Sequence, residues 1–172
     1  MKKKYTILIV DDEVAILELA VKTLRNDDYE LVTAKNGEEG LVKLNMVKAN
    51  LIISDQKMDG MSGVDFLKKA KNLYPNLITI MLTGYAEPET AIKAKNDAGV
   101  YRFIVKPWNT IDFRITVKRA LEMQHLIMEK CELEKRLEEQ RAILKEVERM
   151  FPGLIQKEEE ALRTYGFASD IM

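Results

Sequence analysis

"LIISDQKMDGMSGVDFLKKAKNLY", residues 51–74, decides how this chain folds. Its opening run, Leu51-Ile52-Ile53-Ser54, is short, rich in branched side chains and apolar up to its last residue. Such runs suit strands that are buried on both faces. The run stops on a carboxylate, Asp55, and Gly60 and Gly63 break the next residues into a loop. Helical spacing then begins with "GVDFLKKAKNLY", closed by Pro75. A strand often ends in a polar residue simply because it leaves the core there. Asp55 gains further meaning only from what stands at the ends of the other strands.

Outward from this stretch the same alternation recurs. "YTILIV" (5–10) reads as a strand, and "AILELAVKTLRN" (15–26) as a helix with Ile16, Leu19, Ala20, Thr23 and Leu24 in helical register. "YELVTA" (29–34) is a second strand, and Asn36-Gly37 punctuates it. "EEGLVKLNMVK" (38–48) is a second helix with Leu41, Leu44 and Val47 on one face. "ITIML" (78–82) is a fourth strand, "PETAIKAKNDAG" (88–99) a fourth helix, and "YRFIV" (101–105) a fifth strand. From Trp108 onward the pattern is helical again. Strands alternating with helices over this length predict a doubly wound α/β domain with a parallel sheet. In such sheets the ligand site lies beyond the carboxyl ends of the strands.

Those ends carry chemistry. Strand one runs into Asp11-Asp12-Glu13, strand three into Asp55, strand four into Thr83-Gly84 and strand five into Lys106-Pro107. Singly, each has a plain reading as a turn or a strand exit. Glu13 also suits a helix start, where the dipole favours an acid. Together they place carboxylates, a hydroxyl and an ammonium at one edge. Asp11, Asp12 and Asp55 would repel one another there unless one is protonated or a cation neutralises the set. Oxygen-only ligands suit Mg²⁺, which uses one or two carboxylates and keeps several waters. A carboxylate, a lysine and Mg²⁺ side by side suit phosphoryl transfer, with the carboxylate as in-line nucleophile.

"ILIVDDE" (7–13), "LIISDQKMDGMSGVDFL" (51–67), "IMLTGYA" (80–86) and "YRFIVKPW" (101–108) stand in an order and spacing that resembles the receiver domain of bacterial two-component response regulators. The resemblance covers about residues 4–120. It implies a flavodoxin-like five-stranded parallel sheet of order 2-1-3-4-5. It also implies that Asp55 accepts a phosphoryl group from a histidine kinase or phosphotransfer protein. Asp12 and Asp55 would bind Mg²⁺ directly, Asp11 through water, and the Lys57 backbone carbonyl would be a further ligand. Thr83 and Lys106 would contact the phosphoryl group, and Phe103 would be the switch aromatic on strand five, where plain core packing is the other reading. Lys57 and Tyr85 would flank the path of attacking water. The Lys106–Pro107 bond would be cis, which is cheap only before proline. The signal would leave through the face of the fourth strand, fourth helix and fifth strand. On this reading the chain is a phosphoacceptor switch, not an enzyme beyond its own phosphorylation and dephosphorylation. One position departs from the pattern: Asp59 stands where the family usually has proline.

Beyond residue 120 the character changes to "LEMQHLIMEKCELEKRLEEQRAILKEVERMF" (121–151). With Met123 at heptad position a, the seam reads Met123, Leu126, Lys130, Leu133, Leu137, Gln140, Leu144, Val147 and Phe151. This 3–4 spacing predicts that the fifth helix extends into a long coiled coil and a homodimer through residues 123–151. The alternative is a single long helix packed on its own domain. His125 and Cys131 read as ordinary helix residues. Pro152-Gly153 ends the helix and leaves a short tail. The organisation expected is therefore a receiver domain at 1–120, a coiled-coil signalling helix at 121–151 and a short C-terminal tail at 152–172, for which the start of a truncated output region is one open reading.

Composition narrows the remaining choices. Formal net charge is −1, which disfavours direct nucleic-acid binding by this chain. The charge is unevenly split, with 19 Lys+Arg against 16 Asp+Glu in residues 1–120 and 8 against 12 in residues 121–172. The single cysteine, Cys131, permits no intrachain disulfide and suits a cytoplasmic setting. No stretch reaches the ~20 apolar residues that span a membrane. Two other readings stay open: a receiver fragment of a larger DNA-binding regulator or cyclic-dinucleotide phosphodiesterase, and a haloacid-dehalogenase-type phosphatase. The last needs an aspartate two residues after the nucleophile, where this chain has Lys57.

Overall fold

The computed structural model describes residues 5–25, 27–84 and 98–153. Its elements are β1 (Tyr5–Val10), α1 (Val14–Leu24), β2 (Tyr29–Ala34), α2 (Gly37–Met46), β3 (Leu51–Asp55), α3 (Gly63–Leu73), β4 (Ile78–Thr83), β5 (Arg102–Val105) and a long helix, Thr110–Met150. The strands form one parallel sheet of order β2-β1-β3-β4-β5. The expected flavodoxin-like architecture is thus present, with the fifth predicted helix running on to Met150. The fourth predicted helix (88–99), with Tyr85, lies almost wholly outside the described residues, as does the chain after Gly153.

Burial explains which runs became central strands. Nearly every residue of β1, and all of β3 and β4, is buried, because helices cover the sheet on both sides. Ile7, Ile9, Leu51, Ile53, Ile80 and Leu82 face one core with Leu17 and Leu24 of α1 and Phe113 and Val117 of the long helix. Leu8, Val10, Ile52 and Met81 face the other, with Leu44 of α2 and Phe66 and Leu67 of α3. The edge strands β2 and β5 are only partly buried.

Helix starts are set locally. The Asn36 side chain accepts the Glu39 N–H at 2.8 Å, and Glu39 reaches back to accept the Lys35 N–H at 2.7 Å. Ser62 caps α3 by accepting the Asp65 N–H at 3.2 Å. Both satisfy backbone donors that a first turn leaves orphaned.

The structure corrects the register expected for α1. Its core residues are Leu17, Ala20 and Leu24, whereas Leu19 is 43 % exposed. Thr23 sits beside this face and donates its hydroxyl to the Leu19 carbonyl at 2.8 Å.

The chain divides into two compact units, residues 1–128 and 129–172. In the first, the long helix buries Phe113, Val117, Ala120, Leu121 and Gln124. Gln124 was not singled out by its sequence, yet its side-chain oxygen accepts the Ile78 N–H at 3.1 Å, where β4 begins. In the second, the helix shows exposed Leu133, Leu137, Ile143 and Leu144. Its charges pair along the surface, as in Lys130–Glu134 and Glu132–Arg136. Each such exposed pair contributes only about 0.2–0.5 kcal/mol. The Gly153 N–H bonds Glu148 at 2.9 Å where the helix ends. Among the described residues, no helix is long and apolar enough to cross a membrane.

Candidate functional site

The sheet register gathers the strand ends. Asp55, last in β3, pairs with Leu82, so Thr83 stands one residue further along the same edge. The Asp11 N–H continues the β1–β2 ladder by bonding the Ala34 carbonyl at 3.1 Å. The Lys106 N–H continues β5 by bonding the Thr83 carbonyl at 2.7 Å. Asp11, Asp55 and Thr83 are all buried, with Asp11 wholly so. The Lys106–Pro107 peptide is cis.

Lys106 occupies the centre. Its Nζ lies 2.8 Å from Asp11 Oδ2 and 2.7 Å from Asp55 Oδ1, with Glu13 Oε1 at 3.8 Å. The remaining oxygens are held by main-chain donors. The Glu13 N–H bonds Asp11 Oδ1 at 2.9 Å, and the Lys57 N–H bonds Asp55 Oδ2 at 2.9 Å. Asp12, only partly buried, accepts the Asp59 N–H on Oδ2 at 3.0 Å. Asp11, Asp55 and Lys106 are therefore brought into contact, Glu13 joins their rim, and Asp12 is held at the neighbouring loop.

The loop after Asp55 fits closely against the strand end. A Cβ added to Gly63 would sit 1.8 Å from the Asp55 carbonyl oxygen, so no other residue fits there without displacing the backbone. Gly60 has φ +81, the left-handed region that glycine adopts without a steric cost. Phe103 pairs with Met81 across β4–β5 and packs with it on the α2–α3 side of the sheet. Thr83, two residues beyond Met81, points to the same side.

The electrostatics follow from burial. Burial pushes the Asp11 carboxyl above the ordinary carboxylate range, and the Asp55 charge adds to this. Hydrogen bonds from Lys106 and the Glu13 N–H, with the Lys106 charge, pull the other way without cancelling it. For Lys106, burial disfavours the ammonium, but the hydrogen bonds and charges of Asp11 and Asp55 outweigh it and raise its pKa above the usual lysine value. One ammonium thus faces Asp11, Asp55 and Glu13, with Asp12 beside them, and negative charge is left over. These donors are hard oxygens, which suit Mg²⁺. Among the described residues, no group of three Asp, Glu, His or Cys side chains forms a metal cage by itself. A Mg²⁺ site there would need the Lys57 carbonyl and waters to complete it, in keeping with that ion's retained hydration.

The pH dependence has a definite sign. The Lys106 pKa is raised on folding, so its stabilisation is fully present below its ordinary value of 10.5 and is lost as pH rises through the folded value. The Asp11 carboxyl is raised too, so its ionisation as pH rises above 3.8 is a net cost to the fold, which Lys106 reduces without removing. In Mg²⁺-free buffer at pH 7, Lys106→Met is expected to lose about 3 kcal/mol, the order found when one partner of a buried ion pair is removed. The gap between wild type and variant in urea unfolding should narrow as pH rises above 10.5. A gap that widens there would contradict this assignment.

Comparison with known proteins agrees with the fold. Residues 7–118 match the family model described as response regulator receiver domain. The hydrogenase transcriptional regulatory protein HoxA of Cupriavidus necator is 34 % identical over 124 residues, covering 72 % of this chain and 26 % of that protein. The transcriptional regulatory protein GlrR of Escherichia coli K12 is 34 % identical over 116 residues, covering 67 % of this chain and 26 % of that protein. This chain therefore spans about a quarter of the length of these curated relatives. Among solved structures, the CheY-like receiver domain protein of Methanospirillum hungatei superposes with a TM-score of 0.68 at 36 % identity, covering 72 % of this chain and 98 % of that one. With a family match over most of its length and the matching sheet order, the chain belongs to the receiver domain family of two-component response regulators.

Proposed function

We propose that Asp55 is the phosphoacceptor of this chain and that the surrounding groups are built for that one transfer. The observation that carries the reading is the Lys106 ammonium, which touches both Asp55 Oδ1 and Asp11 Oδ2. A carboxylate oxygen of Asp55 attacks the phosphorus of a phosphohistidine on a histidine kinase or phosphotransfer protein. A P–O bond forms, the P–N bond breaks, and the imidazole leaves with the electron pair. Lys106 offers its charge to the phosphoryl oxygens, as ammonium groups do in such sites. Thr83 hydrogen-bonds a phosphoryl oxygen, and Phe103, on the same side of the sheet, follows its movement. Asp11, Asp12, Asp55 and the Lys57 carbonyl would hold Mg²⁺, which when bound neutralises charge on the transferring group.

In this reading the chain is a switch and has no substrate to turn over beyond its own acyl phosphate. The acyl phosphate biases a pre-existing two-state equilibrium of the fold. Asp55→Asn should take up no label from a small phosphodonor with Mg²⁺, while wild type becomes labelled. Retained acid-stable, base-labile label in the variant would sink the assignment.

The output reading rests on the relatives and on the helix. HoxA and GlrR are named transcriptional regulatory proteins, and the chain matches about a quarter of each. We read the chain as a receiver at 1–120, a signalling helix at 121–151 and a short tail at 152–172. Along the seam, Met123, Leu126, Leu133, Leu137, Leu144 and Phe151 are all more than a third exposed. An apolar stripe of this kind at heptad spacing favours a second copy of the chain as its cover. Sedimentation should show a dimer for wild type and a monomer for Leu137→Asp. A monomeric wild type at tens of micromolar would refute the coiled-coil pairing.

A further inference from the structure

Each of the three aspartates at the strand edge has a main-chain N–H on one of its oxygens. For Asp11 and Asp55 the donor lies two residues on, at Glu13 and Lys57. For Asp12 it comes from the β3–α3 loop, where the Asp59 N–H bonds Oδ2 at 3.0 Å across 47 residues of sequence. This donor exists only because residue 59 is not proline, which has no N–H. The Asp59 side chain itself is exposed.

The loop that aims this N–H is fixed on both sides of it. Met58 is buried at 9 % exposure in the α2–α3 core. Met61 packs on Gly37 so closely that an added Cβ there would lie 3.0 Å from its Sδ. Gly60 turns the chain between them with φ +81. The Gly63 N–H closes the loop on the Gln56 carbonyl at 3.0 Å. Residue 59 therefore sits between two anchored methionines, and its N–H direction is set by packing.

We infer that Asp59 is a positioning residue for Asp12: its main-chain N–H, not its carboxylate, orients the Asp12 carboxylate toward the cation site. The inference rests on the Mg²⁺ reading given under Proposed function. A carboxylate has about four lone-pair sites, so Asp12 can keep this bond and still ligate. Hydrogen bonds behind a ligand fix its orientation, and losing one typically costs about 10- to 100-fold in metal affinity.

The test compares two variants of the full chain that both lack the carboxylate. Asp59→Ala keeps the N–H, and Asp59→Pro removes it. In calorimetric Mg²⁺ titration, Asp59→Ala should stay within about threefold of wild type, the reach of one screened exposed charge. Asp59→Pro should bind about tenfold more weakly than Asp59→Ala. Equal affinities for the two variants would overturn the inference. If the proline variant does not fold, amide spectra of the others decide. Without metal, Asp12→Ala should move the Asp59 amide proton upfield, and in wild type that proton should shift in step with Mg²⁺ saturation. An Asp59 amide unmoved by Asp12→Ala overturns the contact itself. A wild type that takes up no Mg²⁺ overturns the metal reading instead, and the amide comparison still judges the contact.

Discussion

The cost of burying like charges governs the working edge of this protein. Asp11 is wholly buried and Asp55 nearly so, at the ends of two strands that lie side by side. Two carboxylates so placed cannot both remain charged without a neutraliser. Lys106 supplies it from the strand at the far edge of the sheet, reaching both within 2.8 Å. Much of the local architecture answers that need. The close approach of Gly63 to the Asp55 carbonyl fixes the strand end on which the second carboxylate stands. Main-chain N–H groups from Glu13 and Lys57 occupy the oxygens that Lys106 does not reach.

This balance is incomplete, and under the function proposed here that incompleteness is what makes the edge chemically useful. One ammonium faces more than one negative charge, so a cation is favoured there, and with it the charged oxygens of a phosphoryl group can be accommodated. The stability of the fold is supplied elsewhere, by the two apolar layers on either side of β1, β3 and β4. The function proposed for the chain would thus sit at the strand ends, where its electrostatic cost does not interrupt the core.

The fold was largely legible because its central strands are buried on both faces, so their runs are mostly apolar. "LIIS" and "ITIML" announce themselves for that reason. The strand-end residues Asp11, Asp55 and Lys106 were legible because the alternation of strands and helices places all carboxyl ends together. Other features left no trace in side-chain type. The α1 face was misjudged because Leu17 and Leu19 are the same residue type, and only packing decides which one the sheet covers. Gln124 reads as one more polar residue of a charged helix, yet it is buried on the β4 N–H of Ile78. The donors from Lys57 and Asp59 are main-chain groups, which every residue but proline carries. Sequence could show only that residue 59 has one.

The switch proposed for this chain depends on which carboxylate accepts the phosphoryl group. An acyl phosphate is reduced by borohydride to an alcohol, so an aspartyl phosphate leaves homoserine at its own position. We would phosphorylate the chain with a small phosphodonor and Mg²⁺, reduce it, and map the modified residue by peptide mass spectrometry. Homoserine at position 55 alone is the expected result. Homoserine at position 11 or 12, with Asp55 intact, would contradict the assignment.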